Sequence, residues 1–156
     1  MNRRRIASAV ILIAVIAGWT IWLRPPALGG DTSVVVVSGE SMEPGMHQGD
    51  LAIARAQDQY GVDDVVVFTI PTGEPAEGGQ VIHRIIGGNE DGYQTQGDNV
   101  PLPDPWVPTE SDVVGTVVYH VPKAGTVLTY ILSGPVLGLL CAALGAWMGW
   151  RKVDPV

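Results

Sequence analysis

Val34-Val35-Val36-Val37-Ser38-Gly39-Glu40-Ser41-Met42-Glu43-Pro44, followed by Gly49-Asp50, is the stretch around which the rest of this chain is organised. Four consecutive valines read as a short buried strand ending at a Ser-Gly turn. A serine placed just past a strand end is exposed and held at a fixed angle, and a nucleophile needs both. Serine beside glycine and proline is equally ordinary turn chemistry, so the surrounding sequence has to decide between the two.

Outward from that stretch, short β runs alternate with Gly, Pro and Asp clusters. Strands are expected at Val34–Val37, Leu51–Ala54, Val65–Ile70, Val81–Ile86, Tyr93–Gln96 and Val113–Tyr119. No segment here carries a sustained helical period. Residues 71–79 form a loop rich in Pro, Gly and Glu, and the four prolines of residues 99–109 preclude regular structure. The expectation is a mainly β domain over residues 34–122, joined to what precedes it by a linker at 24–33.

Both flanks are apolar. Residues 1–5 include Arg3, Arg4 and Arg5, and residues 6–23 then run without a charge. Eighteen helical residues span roughly 27 Å, close to the hydrocarbon thickness of a bilayer. Trp19 and Trp22 stand where an aromatic belt lies, and Arg24-Pro25-Pro26 stops the helix. A cleavable secretory signal is the other reading, with small residues at Ala27-Leu28-Gly29, but the run is longer than a usual signal core. Residues 125–150 form a second uncharged stretch, interrupted by Pro135 and several glycines, with Trp147 and Trp150 near its end. Arg151 and Lys152 follow in the tail, residues 151–156. By the positive-inside rule both termini are cytoplasmic and the β domain lies outside the cell membrane, in a multi-pass arrangement. A buried soluble helix is the rival for the second run, yet so small a β domain hardly needs one that long.

The chain has 156 residues and a net charge of −7. Between Pro25 and Lys123 there are 15 Asp or Glu against three basic residues, Arg55, Arg84 and Lys123. That acidic middle argues against nucleic acid as a partner, because phosphate neutralisation needs clustered Lys and Arg. Cys141 is the only cysteine, so no internal disulfide forms. No Cys/His cluster has metal-ligand spacing, and no metal or cofactor is expected.

Three residue types with chemical potential fall at edges of the β runs. His83 lies in Val81-Ile82-His83-Arg84-Ile85-Ile86. Strand alternation puts it with Val81 and Ile85, and Arg84 on the other side. An imidazole on an apolar face is costly without a partner, although a satisfied core histidine is the bland reading. Asp98 and Asp104 stand in the Pro-rich loop, where a turn cap is the bland reading for Asp98. Ser41, His83 and an aspartate together could form a hydrolytic triad. His47 and His120 read as surface histidines.

The set Gly39-Glu40-Ser41-Met42-Glu43-Pro44, Gly49-Asp50, Asp64-Val65-Val66-Val67-Phe68, Ile82-His83-Arg84 and Gly97-Asp98-Asn99 with Asp104 resembles type I signal peptidase. The likeness covers roughly residues 34 to 119. It is to the endoplasmic-reticulum and archaeal branch, which uses a histidine base, because His83 occupies the base position. No lysine lies between Arg24 and Thr116 to serve a Ser–Lys dyad. The resemblance implies Ser41 as nucleophile, with its backbone N–H as an oxyanion donor, His83 as general base and Asp104 as the acid that orients it. Asp98 is the second choice for that acid, and Met42 and Pro44 are substrate-positioning residues. Gly39 stands where the family often has a serine that helps bind the oxyanion. Asp63 stands where a glycine often precedes the Asp64 position.

The resemblance implies a small signal-peptidase-like β domain flanked by two transmembrane helices. Its activity would be removal of signal peptides from exported pre-proteins after small residues, at the bilayer surface and in association with the secretion machinery. A peptidase dedicated to one or a few surface or fibre subunits is a narrower alternative. A non-catalytic membrane-tethered scaffold is an alternative from another class. The soluble self-cleaving repressor fold is disfavoured by the two apolar runs and the missing lysine.

Overall fold

Among the described residues, six strands form one antiparallel sheet: β1 (Thr32–Val36), β2 (Leu51–Arg55), β3 (Val65–Thr69), β4 (Gln80–Asn89), β5 (Gly92–Gln96) and β6 (Val113–Val121). The computed structural model describes residues 3–22 and 24–150. Met1, Asn2, Leu23 and residues 151–156, with Arg151 and Lys152 of the expected tail, lie outside the described residues. So do the side chains of Arg3 to Arg5, Trp19, Trp22, Trp147 and Trp150. The strand order is β1-β2-β6-β3-β4-β5, so β6 returns across the domain to insert between β2 and β3. Residues 97–109 have no regular structure, as their prolines require.

The β-branched runs fold as strands because alternate side chains find apolar partners on both faces. Val66, Phe68, Ile70, Ile85 and Tyr93 pack on one face, with Trp106 against them. Val37, Met42, Met46 and Ala52 pack on the other, with Val65 and Ile82. The alternation of β3 and β4 thus feeds two small cores rather than one. The end of β1 and the start of β4 border a common groove although three strands separate them in the sheet, so the sheet curls.

The valine run differs from its expected character. Among the described residues β1 is an edge strand paired only with β2, and Val34 is 49% exposed. Only Val37, beyond the end of β1, is fully withdrawn into the core. Burial of a strand depends on what pairs with its outer side, and four valines in a row carry no information about that.

The apolar flanks are helical. α1 spans Arg3–Trp22, and a 3-10 turn at Pro26–Leu28 follows. The second run, expected as one helix over 125–150, is instead two: α2 (Ala124–Ile131) and α3 (Gly134–Trp150), bent by 54°. Pro135 lies in the first turn of α3; in an unbroken helix it would have no N–H to return to Ile131 and its ring would clash with that carbonyl, so the helix breaks before it. Among the described residues, no single helix is long and apolar enough to cross a membrane, whereas α2 and α3 meet the length and composition of a span together.

Asp50 ties these parts to the sheet. It is 2% exposed, and its carboxylate accepts the backbone N–H of His47 at 3.0 Å and of Lys123 at 2.9 Å. Those two bonds, led by that from His47, hold its pKa below the ordinary aspartate value of 3.8. A depressed folded-state pKa gives stability that is complete above the ordinary value and drains away as pH falls through the folded one. Asp50→Ala is therefore expected to lower stability by about 2 kcal/mol at pH 7 and to flatten the acid loss. Unfolding of the full chain followed between pH 7 and pH 2 checks both.

Candidate active site

The turn after β1 is built to present one side chain. Met42 is 2% exposed and packs with Val37, Met46 and Ala52, which anchors residues 38–46 against the sheet. Met46 N–H closes the turn on Met42 O at 2.9 Å. Ser41, directly before the buried Met42, is half-buried at the mouth of the groove. Pro44, expected to help position a substrate, is exposed after a cis peptide bond and does not line that groove, whereas Met42 does.

His83 sits in β4 across from Val66 of β3. It is 7% exposed, on the apolar face with Ile85 that alternation predicts. Its two ring nitrogens have different partners. Nε2 lies 2.9 Å from Ser41 Oγ, and Nδ1 lies 2.5 Å from Asp104 Oδ2. When Nδ1 donates to the carboxylate, Nε2 is left as the acceptor for the serine hydroxyl. Asp104 Oδ2 also accepts the Thr95 hydroxyl at 2.7 Å, and Asp104 N–H donates to Thr95 O at 2.8 Å. Thr95 is fully buried, so the carboxylate is gripped through side chain and backbone by one rigid strand residue.

The structure brings Ser41, His83 and Asp104 together and places Asp98 elsewhere. Asp98 takes a bidentate pair from Arg84, Nε to Oδ1 at 2.8 Å and Nη2 to Oδ2 at 2.7 Å. The carboxylate holds the Arg84 pKa above its ordinary value through that hydrogen bond. Arg84 Nη1 also donates to Asp63 O at 2.8 Å. Asp63 has φ 77°, a left-handed conformation that favours glycine, which accounts for glycine as the common alternative there. His47 is exposed and His120 half-buried, and neither lines the groove.

Three supporting residues were not legible as such. Thr95 shares the inward parity of Tyr93 in β5, and that is its only signal. Asn99 donates its backbone N–H to Ser41 O at 2.8 Å and its side-chain amide to Glu40 O at 3.1 Å, bolting the Pro-rich loop to the serine turn. Gly97, the first residue past β5, occupies the space between them. A Cβ there would stand 2.7 Å from Ser41 O, 2.9 Å from His83 Nε2 and 3.0 Å from Ser41 Cβ. A glycine closing a strand was the available hint.

The hydroxyl, imidazole and carboxylate form a hydrogen-bonded relay able to withdraw the serine proton as Oγ bonds to an electrophile. It opens on a groove of about 270 Å³ bordered by Val35 to Gly39, Val81, Ile82 and Trp106. The lining is mostly apolar. Among the described residues no cluster of three His, Cys, Asp or Glu is arranged to hold a metal ion.

Residues 13–118 match the Peptidase S24-like family. The chain is 32% identical over 130 residues to the signal peptidase complex catalytic subunit SEC11 of Komagataella phaffii, covering 70% of this chain and 74% of that protein. It is 29% identical to SEC11 of Clavispora lusitaniae, over 81% of this chain and 84% of the relative. It is also 29% identical to SEC11C of Homo sapiens, over 95% and 84%.

The packing at Gly97 and Thr95 predicts how Ser41 responds to a serine-directed acylating probe. Gly97→Ala should slow labelling by about a hundredfold or more, because its Cβ displaces either the imidazole or the serine turn. Thr95→Val keeps the shape but removes a buried donor to a carboxylate, worth about 1.5–3 kcal/mol. A slowing of roughly tenfold to a hundredfold follows if that loss acts on reactivity. Labelling rates of the folded variants beside wild type are the check.

Proposed function

The chain belongs to the endoplasmic-reticulum-type branch of the signal peptidases, and from that premise we propose that it is a membrane-bound serine endopeptidase that removes signal peptides from exported proteins. The observation that carries this reading is the Ser41–His83–Asp104 relay at the mouth of an apolar groove. Ser41 Oγ attacks the scissile carbonyl while His83 Nε2 takes its proton. The negative charge on the carbonyl oxygen is met by the Ser41 backbone N–H, and a donor of this kind is typically worth about 3 kcal/mol. His83 then gives its proton to the leaving amine. A water, deprotonated by the same imidazole, releases the acyl group from Ser41. Asp104, held by Thr95, keeps Nδ1 protonated and stabilises the imidazolium. Asp98 serves the site indirectly: it anchors Arg84, on the face of β4 opposite the base, and directly precedes Asn99, which clamps the serine turn.

The groove supports an extended substrate lying between β1 and β4. Buried Val37 and Met42 at its floor and Trp106 at its rim leave shallow room, which suits small side chains before the cut.

The membrane placement is part of the proposal. Val10, Ile11, Leu12 and Ile13 of α1 are each more than half exposed. Consecutive residues cover all sides of a helix, so α1 has no protein surface to bury them and a bilayer is the fitting solvent. We take residues 6–23 as the first anchor and the bent pair within 125–150 as the second. The arginines of residues 1–5 and the basic start of 151–156 stay in the cytoplasm, and residues 24–122 lie outside the cell membrane. The relatives are named as catalytic subunits of a complex, which supports assembly with partner subunits and contact with the secretion machinery.

The reconstituted chain should cut a reporter pre-protein after a small residue. Ser41→Ala should lower the rate at least about a thousandfold, and Asp104→Asn a hundredfold or more. Asp98→Asn should cost less than Asp104→Asn, because its partner is Arg84. No cleavage by the folded wild type across a panel of pre-proteins would leave the scaffold reading. Cleavage of only one or two members would mark a dedicated peptidase.

A further inference from the structure

The β4–β5 hairpin closes a hollow that the relay does not use. Gly88, with φ 91°, lets the two strands approach so closely that a Cβ there would stand 2.2 Å from Gly92 O. Asn89 Oδ1 accepts the Asp91 N–H at 3.0 Å and fixes the turn. Glu110 N–H donates to Glu90 O at 3.0 Å, which fastens the segment before β6 to the hairpin tip. The hollow holds about 290 Å³ and is bordered by that tip, by Glu110, and by Tyr60 and Tyr93. None of its lining residues belongs to the groove at Ser41 or to α1, α2 or α3.

Tyr60 and Tyr93 meet edge to face, with ring centres 6.3 Å apart and planes at 86°. The Tyr60 oxygen accepts the Gln57 N–H at 3.2 Å. Tyr93 is only 3% exposed, yet its hydroxyl opens to the hollow and has no hydrogen-bond partner among the described residues. Burial first, then the Glu110 and Glu90 carboxylates, then Tyr60 and Asp64, push its pKa above the ordinary tyrosine value. The Asp64 carboxylate is engaged elsewhere, by Gly61 N–H at 2.8 Å. Among the described residues neither Glu90 nor Glu110 has a hydrogen-bond or ion-pair partner for its carboxylate. Two unpaired acids thus share a hollow with a buried unpaired phenol, and no basic residue lines it. A buried polar group without a partner is costly, and a ligand that donates to all three would remove that cost.

We propose that this hollow is a receptor for an arginine side chain of a partner protein. The two carboxylates repel an anion. A metal ion is poorly served, because among the described residues no three His, Cys, Asp or Glu converge. An organic cation suits every feature. A guanidinium is planar, so its face can lie on a tyrosine ring while its edge donates N–H groups to the carboxylates and to the Tyr93 oxygen. An ammonium is a strongly hydrated point charge and uses such a site less well. The acids also favour a protein-borne arginine over the free amino acid. Glu90 and Glu110 border a broader hollow with Asp91 and Thr109 as well, and that acidic rim repels an α-carboxylate and attracts a basic protein surface. The inference stands apart from the peptidase chemistry, since it uses none of the relay residues.

The test uses the full chain in dodecylmaltoside micelles with isotope-labelled tyrosine rings, titrated with N-acetyl-arginine methylamide and followed by NMR. Saturable shifts are expected at Tyr60 and Tyr93, assigned through Tyr60→Phe and Tyr93→Phe, with Tyr119 and Tyr130 unmoved. Affinity should fall at least about tenfold in Glu90→Gln and again in Glu110→Gln, the effect of losing one charged hydrogen-bond partner. Both substitutions keep the side-chain shape, and unaltered Tyr119 and Tyr130 signals show that the fold is kept. Absence of a saturable shift overturns the proposal, and so does equal binding of the matching lysine or glutamine methylamide, or undiminished binding in the double variant. Free arginine that binds more tightly than the blocked form would make this a small-molecule site, and calcium chloride that reproduces the shifts and blocks the probe would make it a metal site. Either result overturns the partner assignment. Cleavage is read separately on the reporter pre-protein, so a chain that binds the probe but cuts nothing overturns the peptidase reading alone.

Discussion

The site depends on the space left empty at Gly97. Three segments distant in sequence meet there: the turn carrying Ser41, the strand carrying His83, and the start of the Pro-rich loop that carries Asp104. A hydroxyl can reach an imidazole at 2.9 Å only if the backbones behind them approach closely, and the missing side chain at residue 97 permits that approach. Asn99 then converts proximity into a fixed relation through its two bonds to the Glu40 and Ser41 carbonyls. The loop is thereby both the carrier of the carboxylate and the brace of the serine turn. A change in its path would move both ends of the relay together.

Three carboxylates near the site do three different jobs, and their partners explain why they do not interchange. Asp104 is nearly buried and has imidazole and hydroxyl donors, so its charge is directed at one ring nitrogen. Asp98 is partly solvated and spends both oxygens on the guanidinium fork of Arg84. Asp50 takes two backbone amides and braces the start of α2. A domain with so strong an acidic excess could have left these charges in mutual repulsion. Each is instead neutralised or hydrogen-bonded locally, and the excess is left to the solvated surface.

Much of this was legible in the sequence, for physical reasons that also mark the limit. Strand positions follow from β-branched runs bounded by turn residues, and all six form. The face of His83 follows from alternation alone. The choice between Asp98 and Asp104 does not, because both stand in one proline-rich loop whose path no local rule determines. Arg84 was the overlooked pointer: a cation on the face opposite His83 draws one aspartate away from the imidazole. Edge position is a property of the assembled sheet, which is why the valine run reads as buried and folds as the open margin. The 125–150 run reads as one helix by hydropathy, yet Gly134-Pro135 withdraws a backbone donor and bends it. Thr95 and Asn99 act through hydroxyl and amide contacts to residues far along the chain, and such contacts leave no periodic trace.

The two edges of the sheet are treated unequally, and that asymmetry bears on how a substrate would be held. An unpaired edge is a template for any extended chain. On the β5 side the protein fills the template itself: Tyr93 N–H donates to Pro108 O and Thr95 O accepts from Asp104 N–H, so the Pro-rich loop lies along the strand. On the β1 side strand pairing is to β2 alone, with Val34 and Val36 exposed. The open edge runs directly into Ser38 and the groove that holds Ser41. A soluble domain gains nothing from an apolar open edge and risks self-association through it. An enzyme that binds its substrate as an added strand needs one, and needs it beside the nucleophile. The covered edge carries the carboxylate and the open edge leads to the hydroxyl, so a chain added at β1 is aligned with the relay without disturbing the loop that positions it.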